Sequence, residues 1–309
     1  MPLLLREDLP AFDQLQEEGV FMMKRKRSEH QDIRPLEIGI LNLMPDKLTA
    51  ETQLLRLLAS TPLHVHATLL KTASYEPQNV EPGHLEKFYT TIDALKQEAQ
   101  GLDGLIVTGA PVEDLEFDDV KYWQELKDIL DWAQDHVHSV MGICWGAQAV
   151  LKHYYDIEKK DLPEKKFGVF SHDHVGDSPL TQQMDDQVWA PHSRHTEILL
   201  SDVEKNPDLK PLLVSPEAGV HIVSNTADTV VAVCGHGEYD RDTLDKEYKR
   251  DLSQGRDDVP LPVNYYPDND PNQTPHMNWR ANTTTFFRNW VTQVYEQTKY
   301  DVKENRLRL

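Results

Sequence analysis

Between residues 36 and 155 the chain alternates short apolar runs with longer stretches whose apolar residues recur at helical spacing. The run from Leu36 to Leu43, Leu63 to Leu70, Asp103 to Gly109 and Val137 to Ile143 predict strands. Ala50 to Leu58, His84 to Leu95, Val120 to Trp132 and Gly146 to Tyr155 predict helices between and after them. Strands that are apolar throughout are buried on both faces, and strand–helix alternation joins neighbours in parallel. The fold class that follows is α/β, a doubly wound, mostly parallel sheet with helices on both faces. Ligands of such folds bind at the carboxyl ends of the strands. The second half adds strands at Val220–Val223 and Thr229–Cys234 and helices at Arg241–Leu252 and Thr284–Tyr295. Pro260 to Pro275 is rich in Pro, Asn and Asp and is a long loop whose order the sequence leaves open. With no repeat and no linker, residues 1–309 are expected to form one domain, an extension of about 1–34 preceding a core of about 35–300.

Composition excludes several partners. A net charge of -20 opposes nucleic acid, which needs a concentrated basic surface. The one basic run, Lys24-Arg25-Lys26-Arg27, reads as a solvated turn. No stretch of about 18 apolar residues is present, so no membrane partner is expected, and the acidic start lacks a signal peptide's apolar centre. A cytoplasmic protein follows. Two cysteines, Cys144 and Cys234, imply no disulfide framework; in a reducing compartment each is a buried hydrophobe or a nucleophile. No metal is expected.

The strongest local signal is Gly142-Ile143-Cys144-Trp145-Gly146-Ala147-Gln148, at the junction of a predicted strand and helix. A sharp turn there strains its central residue and projects that side chain above the sheet, and flanking glycines remove the Cβ atoms that would clash. The helix start favours an anionic sulfur and offers N–H groups to an oxyanion. Cys144 is therefore the candidate nucleophile. Gly235-His236-Gly237-Glu238-Tyr239 follows another strand; in an extended segment His236 and Glu238 project to one side. Glu238 would orient His236, and His236 would serve as base to Cys144. Cys234, inside the preceding strand, reads as core. Thr108-Gly109-Ala110-Pro111 ends a third strand, so an N–H of Gly109 or Ala110 is the candidate partner of the Trp145 N–H in an oxyanion hole.

Gly-x-Cys-x-Gly-x-Gln followed by His-x-Glu resembles the class I glutamine amidotransferase-like fold, a flavodoxin-like sandwich with a Cys-His-Glu triad. Further stretches resemble one branch of it, the homoserine O-acyltransferases of methionine biosynthesis. These are Leu41-Asn42-Leu43-Met44-Pro45-Asp46-Lys47, Thr108 to Glu113, Val120-Lys121-Tyr122-Trp123, Ala190-Pro191-His192-Ser193-Arg194, Asn264-Tyr265-Tyr266-Pro267 and Asn269-Asp270-Pro271. They occur in family order from about residue 2 to 301.

The resemblance implies a double displacement in which Cys144 takes an acyl group from acyl-CoA and passes it to the hydroxyl of L-homoserine. By motif position it assigns substrate binding to Lys165, Ser193 and Arg250, and an active-site role, such as oxyanion support, to Lys47. Glu113 stands where Glu accompanies acetyl-CoA and Gly accompanies succinyl-CoA in the family. The implied activity is a homoserine O-acetyltransferase using acetyl-CoA as co-substrate, without a cofactor, as a homodimer. The alternatives are succinyl-CoA as donor or a glutamine amidotransferase-type hydrolase. In two places the chain departs from the branch: Gly237 stands where Pro is frequent, which predicts a freer backbone, and the Gly146 and Gln148 pattern is nearer to glutaminases.

Overall fold

A computed structural model describes residues 3–20, 22–24, 34–74, 83–97, 101–255, 259–298, 300–301 and 306–307. Arg25 to Arg27 of the basic run lie outside the described residues. Strands β1 (Leu3–Leu5), β2 (Met22–Lys24), β3 (Leu36–Leu41), β4 (Val65–Leu70), β5 (Tyr89–Thr90), β6 (Leu102–Val107) and β7 (Val137–Ile143) are joined by parallel pairing. Then come β8 (Lys159–His174), β9 (Gln187–Ile198), β10 (Leu209–Ser215), β11 (Gly219–Asn225) and β12 (Val230–Val233). All belong to one sheet in the order β2-β1-β4-β3-β6-β7-β12-β11-β10-β8-β9, with β5 on β4. β12 pairs parallel to β7, whereas β11, β10, β8 and β9 continue antiparallel.

The helices are α1 (Pro10–Glu17), α2 (Lys47–Leu58), α3 (His84–Phe88), α4 (Ile92–Gln97), α5 (Trp123–His136), α6 (Trp145–Tyr155), α7 (Leu200–Lys205), α8 (Thr243–Ser253) and α9 (Arg280–Gln297). Period-2 alternation sends neighbouring strand residues to opposite faces. Ile38, Ile40, Ile106 and Met141 pack under Leu54, Leu58, Phe286 and Trp290 of α2 and α9. Leu105, Val107 and Val140 pack against Leu126, Leu130, Ala149 and Val150 of α5 and α6. The sheet is thus covered on both sides, as the buried runs predict. Residues 84–95 do not form the single predicted helix. They form α3, β5 and the start of α4, because Tyr89 turns inward to bond Asn42 and Glu51.

The loop over 260–275 is packed. Tyr265 and Tyr266 are buried beside Trp279, and Val263 bonds the backbone of Phe167 and Val169. Gly168 has a φ of 146°, and any Cβ there would strike the Val263 backbone.

Candidate active site

Four adjacent parallel strands, β3, β6, β7 and β12, end in one row, and each delivers part of the site. β7 delivers Cys144, the residue before α6, at φ 53° and ψ -116°. A non-glycine residue held there stores strain, the mark of a nucleophile elbow. The turn is pinned by the Cys144 N–H donating to the Val233 carbonyl at 2.7 Å. Both glycines are required by space: a Cβ on Gly142 would collide with the Gly146 carbonyl, and one on Gly146 with the carbonyls of Val107 and Thr108. The Trp145 side chain is wholly buried among Phe117, Tyr122 and Trp123, which leaves only its backbone to face the strand ends.

β12 delivers His236. Residues 236–239 form a turn, Tyr239 N–H to His236 carbonyl at 3.3 Å, rather than the predicted extended segment. The turn still brings Nδ1 of His236 to 2.6 Å from Oε1 of Glu238, and the ring also hydrogen-bonds Cys144. Burial alone would push the imidazole pKa down. The facing Cys144 sulfur and Glu238 carboxylate outweigh it and hold His236 well above its usual range. The His236 N–H donates to the Pro191 carbonyl at 2.7 Å, tying the turn to β9. Gly237 is not a point of freedom: a Cβ there would strike Thr283 of α9, and its φ is not positive. Cys234 is buried, and burial pushes its thiol up to about 12, consistent with a core residue.

β6 delivers Gly109, where an added Cβ would lie 3.3 Å from Cys144 Cβ and 3.6 Å from His236 Cε1. Among the described residues, no protein acceptor takes the N–H groups of Ala110 and Trp145. β3 delivers the turn to Lys47, the first residue of α2. That side chain is buried, its ammonium donates to the Asn42 carbonyl, and burial, partly countered by Glu51, brings its pKa to about 8.

The antiparallel half brings the substrate-binding candidates together on one carboxylate. Lys165 Nζ and Ser193 Oγ each lie 2.6 Å from Oε1 of Glu247, and Lys165 also faces Asp251 at 3.7 Å. Lys165 is therefore paired with carboxylates rather than open. Arg250, 60% exposed at its side chain, donates through Nε and Nη2 to Asp251 and lies 4.0 Å from Glu247. A cavity of about 410 Å³ opens beside them, lined by Lys165, His195, Asp251, Val259 and Pro260 among others.

Glu113 is anchored rather than free. Its Oε2 accepts from the His195 N–H at 2.8 Å and Thr196 Oγ1 at 3.3 Å. Thr196 also bonds Gln148, one turn along α6 from Cys144. Sequence reasoning missed Glu247 and Tyr239. Glu247 lies three residues before Arg250 on α8, so helical spacing could have paired them. Tyr239 stacks on His236 with centroids 4.1 Å apart, and burial together with Glu247, Glu238, Cys144 and Glu113 raises its phenol. Only its adjacency to the His-x-Glu signal pointed to it.

His172, His192 and His221, the three-residue group of possible metal ligands among the described residues, lie behind Gly235. Nδ1 of His192 accepts from Arg194 and Nδ1 of His221 accepts from the Gly235 N–H. These two neutral rings then carry their protons on Nε2, leaving those nitrogens no lone pair for an ion, while His172 donates from Nδ1 to the Val188 carbonyl and its Nε2 accepts from His192. The cluster does not fit a metal.

The family model for homoserine O-succinyltransferases matches residues 2–300. The chain is 48% identical to a homoserine O-acetyltransferase of Thermotoga neapolitana, over 98% of this chain and 99% of that protein. It is 50% identical to one of Clostridium beijerinckii, again over 98% and 99%. Among solved structures, a glutamine amidotransferase of Thermotoga maritima superposes with a TM-score of 0.56 at 11% identity, over 85% of this chain and all of that one. A putative GMP synthase subunit of Thermoplasma acidophilum gives 0.54 at 15% identity, over 85% and 96%. These neighbours share the fold, which is class I glutamine amidotransferase-like, while agreement over nearly the whole length carries the closer relationship. The chain belongs to the homoserine O-succinyltransferase family.

Proposed function

We propose that the protein is a homoserine O-acetyltransferase of methionine biosynthesis that works by double displacement on Cys144. The observation that carries this reading is the strained Cys144 at the head of α6, with its sulfur facing a His236 imidazole oriented by Glu238. In the first half-reaction the Cys144 sulfur attacks the thioester carbon of acetyl-CoA, and a new C–S bond forms. The carbonyl oxygen takes the charge between the N–H groups of Trp145 and Ala110 or Gly109, with Lys47 adding positive potential. The bond to CoA breaks, and the proton on His236 goes to the departing thiolate. In the second, Nε2 of His236 takes the proton of the homoserine hydroxyl as that oxygen attacks the acetyl carbon. The C–S bond to Cys144 then breaks, releasing O-acetylhomoserine.

The Glu247–Arg250 face of α8 suits the acceptor, since homoserine carries both an ammonium and a carboxylate. Glu247, oriented by Lys165 and Ser193, is a partner for the ammonium. Arg250, bonded to Asp251 through Nε and Nη2, is the partner for the carboxylate, with Nη1 available or with Asp251 displaced. Acetyl is favoured over succinyl because the Glu113 carboxylate is fixed one side chain from Gln148. No helix among the described residues is long and apolar enough to cross a membrane, and a cytoplasmic site of action accords with a biosynthetic role.

Incubation with acetyl-CoA alone should leave one acetyl group on Cys144, seen by mass spectrometry of the intact protein and its peptides. Adding homoserine should discharge it as O-acetylhomoserine. No adduct, or ammonia release from glutamine in its place, would overturn the assignment.

A further inference from the structure

The Tyr239 phenol lies parallel over one face of the His236 imidazole, with centroids 4.1 Å apart and planes inclined by only 12°. Two neutral rings prefer to meet offset or edge-on, whereas a cation is drawn to the centre of an aromatic face. The buried, neutral His192 meets Phe170 edge-on, at 5.8 Å and 75°. A parallel phenol therefore suits a protonated His236. Tyr239 is itself fixed. Its carbonyl accepts from Trp279 Nε1 at 3.0 Å, its N–H donates to the His236 carbonyl, and it packs in the buried cluster of Phe167, Leu244, Tyr265 and Trp279. Burial keeps the phenol protonated, so the face it presents carries no charge.

His236 needs such a wall. Glu238 holds it at one atom, Nδ1, and Cys144 bonds its other side. The bond to Cys144 is lost whenever the sulfur carries an acyl group, and a ring hung on one hydrogen bond can rock about it. The Tyr239 face belongs to the packed core and is the same in both half-reactions. We infer that Tyr239 is a positioning residue for acyl transfer, whose ring face holds the His236 imidazole in plane and favours its protonated form. The inference rests on the reading of His236 as acid and base to Cys144. The titratable groups facing His236 are Cys144 at the head of α6, Glu238 and Tyr239 on its own turn, and the neutral His192 of β9 and His221 of β11 behind Gly235.

Tyr239→Phe keeps the face, and Tyr239→Leu removes it. Losing a desolvated cation–π contact should lower the proton affinity of the ring about tenfold. The alkaline limb of the CoA burst from acetyl-CoA, where the imidazolium is lost, should then move to lower pH by about one unit. The acid limb should stay, because the sulfur ionises there beside a ring that is already protonated. Discharge of the acetyl-enzyme by homoserine should slow about tenfold, through lost aim and basicity.

The experiment follows the His236 ring by NMR across pH in the wild type and both variants, beside the CoA burst at each pH. Tyr239→Phe should match the wild type in both. Trifluorophenylalanine at position 239 keeps the ring's outline and drains its face, so it should titrate as Tyr239→Leu does, and it serves if that variant does not fold. An unmoved ring titration, a burst scaled equally at every pH, or a Tyr239→Phe protein as impaired as Tyr239→Leu would overturn the inference. A moved titration in a protein whose wild type forms no acetyl adduct would instead overturn the acyl-transfer reading and leave the stack standing.

Discussion

Replacing Glu113 should change which acyl donor the enzyme accepts. The carboxylate cannot simply swing aside, because Oε2 is held by the His195 N–H and Thr196, and Thr196 is held by Gln148. A succinyl group on Cys144 would carry its terminal carboxylate toward that fixed charge. For a separation taken as about 6 Å and an effective dielectric near 20, the repulsion is about 3 kcal/mol. That corresponds to roughly a hundredfold in kcat/KM against succinyl-CoA. Glu113→Gly removes both charge and bulk and should lower the acetyl-to-succinyl preference by about that factor. It also strands the His195 N–H, at a stability cost of about 1–3 kcal/mol. Glu113→Gln separates the causes: it keeps an oxygen for His195, so a preference lost in both variants is electrostatic, and one lost only in Gly is steric. The assay is CoA thiol release with each donor and homoserine, with products identified by mass. A folded Glu113→Gly protein with an unchanged donor ratio would refute the reasoning.

Cys144→Ala should abolish acyl transfer and, by removing the sulfur that faces His236, lower the His236 pKa, as followed by NMR of the ring; an unmoved ring would break the coupling. Arg250→Lys should raise the KM for homoserine at least tenfold while the burst of CoA release with acetyl-CoA persists; equal loss of the burst would assign Arg250 to the triad or the fold. Gly237→Ala should destabilise by about 1–3 kcal/mol in urea unfolding, because its Cβ meets Thr283, and an unchanged midpoint would disprove the close approach. Burial lowers His172 to about 4, so its contribution to stability is present above the unfolded value near 6.5 and lost as pH falls toward 4. This residue's share of the unfolding free energy should therefore drop by about 3 kcal/mol across that window, and His172→Gln should remove that share while those of His192 and His221 persist.

The parallel half was legible because its strands are buried on both faces and read as continuous apolar runs, β6 being buried at every position. The turn around Cys144 was legible because space demands glycine on both sides. The antiparallel hairpin was not. The first half of β8 is Lys-Lys-Asp-Leu-Pro-Glu-Lys-Lys, with residues 162–165 inserted between the paired positions Asp161 and Lys166. β9 buries His192, Arg194 and Thr196 rather than an apolar stripe. Those side chains satisfy one another by hydrogen bonds, so no period of two in hydrophobicity marks the strand. Glu247 was hidden for a related reason: one acid among 52 on an amphipathic helix carries no signal until Lys165 and Ser193 are brought to it.

The buried histidines around this hairpin and the His236 imidazole are shifted in opposite directions. His172, His192, His221 and His236 are all buried within one region. Burial lowers the first three, and the Arg194 guanidinium, itself buried and bonded only to neutral acceptors among the described residues, lowers each of them further. His236 meets the same burial but faces the Cys144 sulfur and the Glu238 carboxylate, which reverse the direction. Four imidazoles of one intrinsic basicity are thus sorted by their neighbours into three neutral rings and one cation. The neutral rings cost nothing in charge, bond the Gly235 N–H and Arg194, and leave the only imidazolium of the group beside the nucleophile. The polar hairpin that erased the strand signal thus keeps its own imidazoles low, while Cys144 and Glu238 reverse the direction at His236.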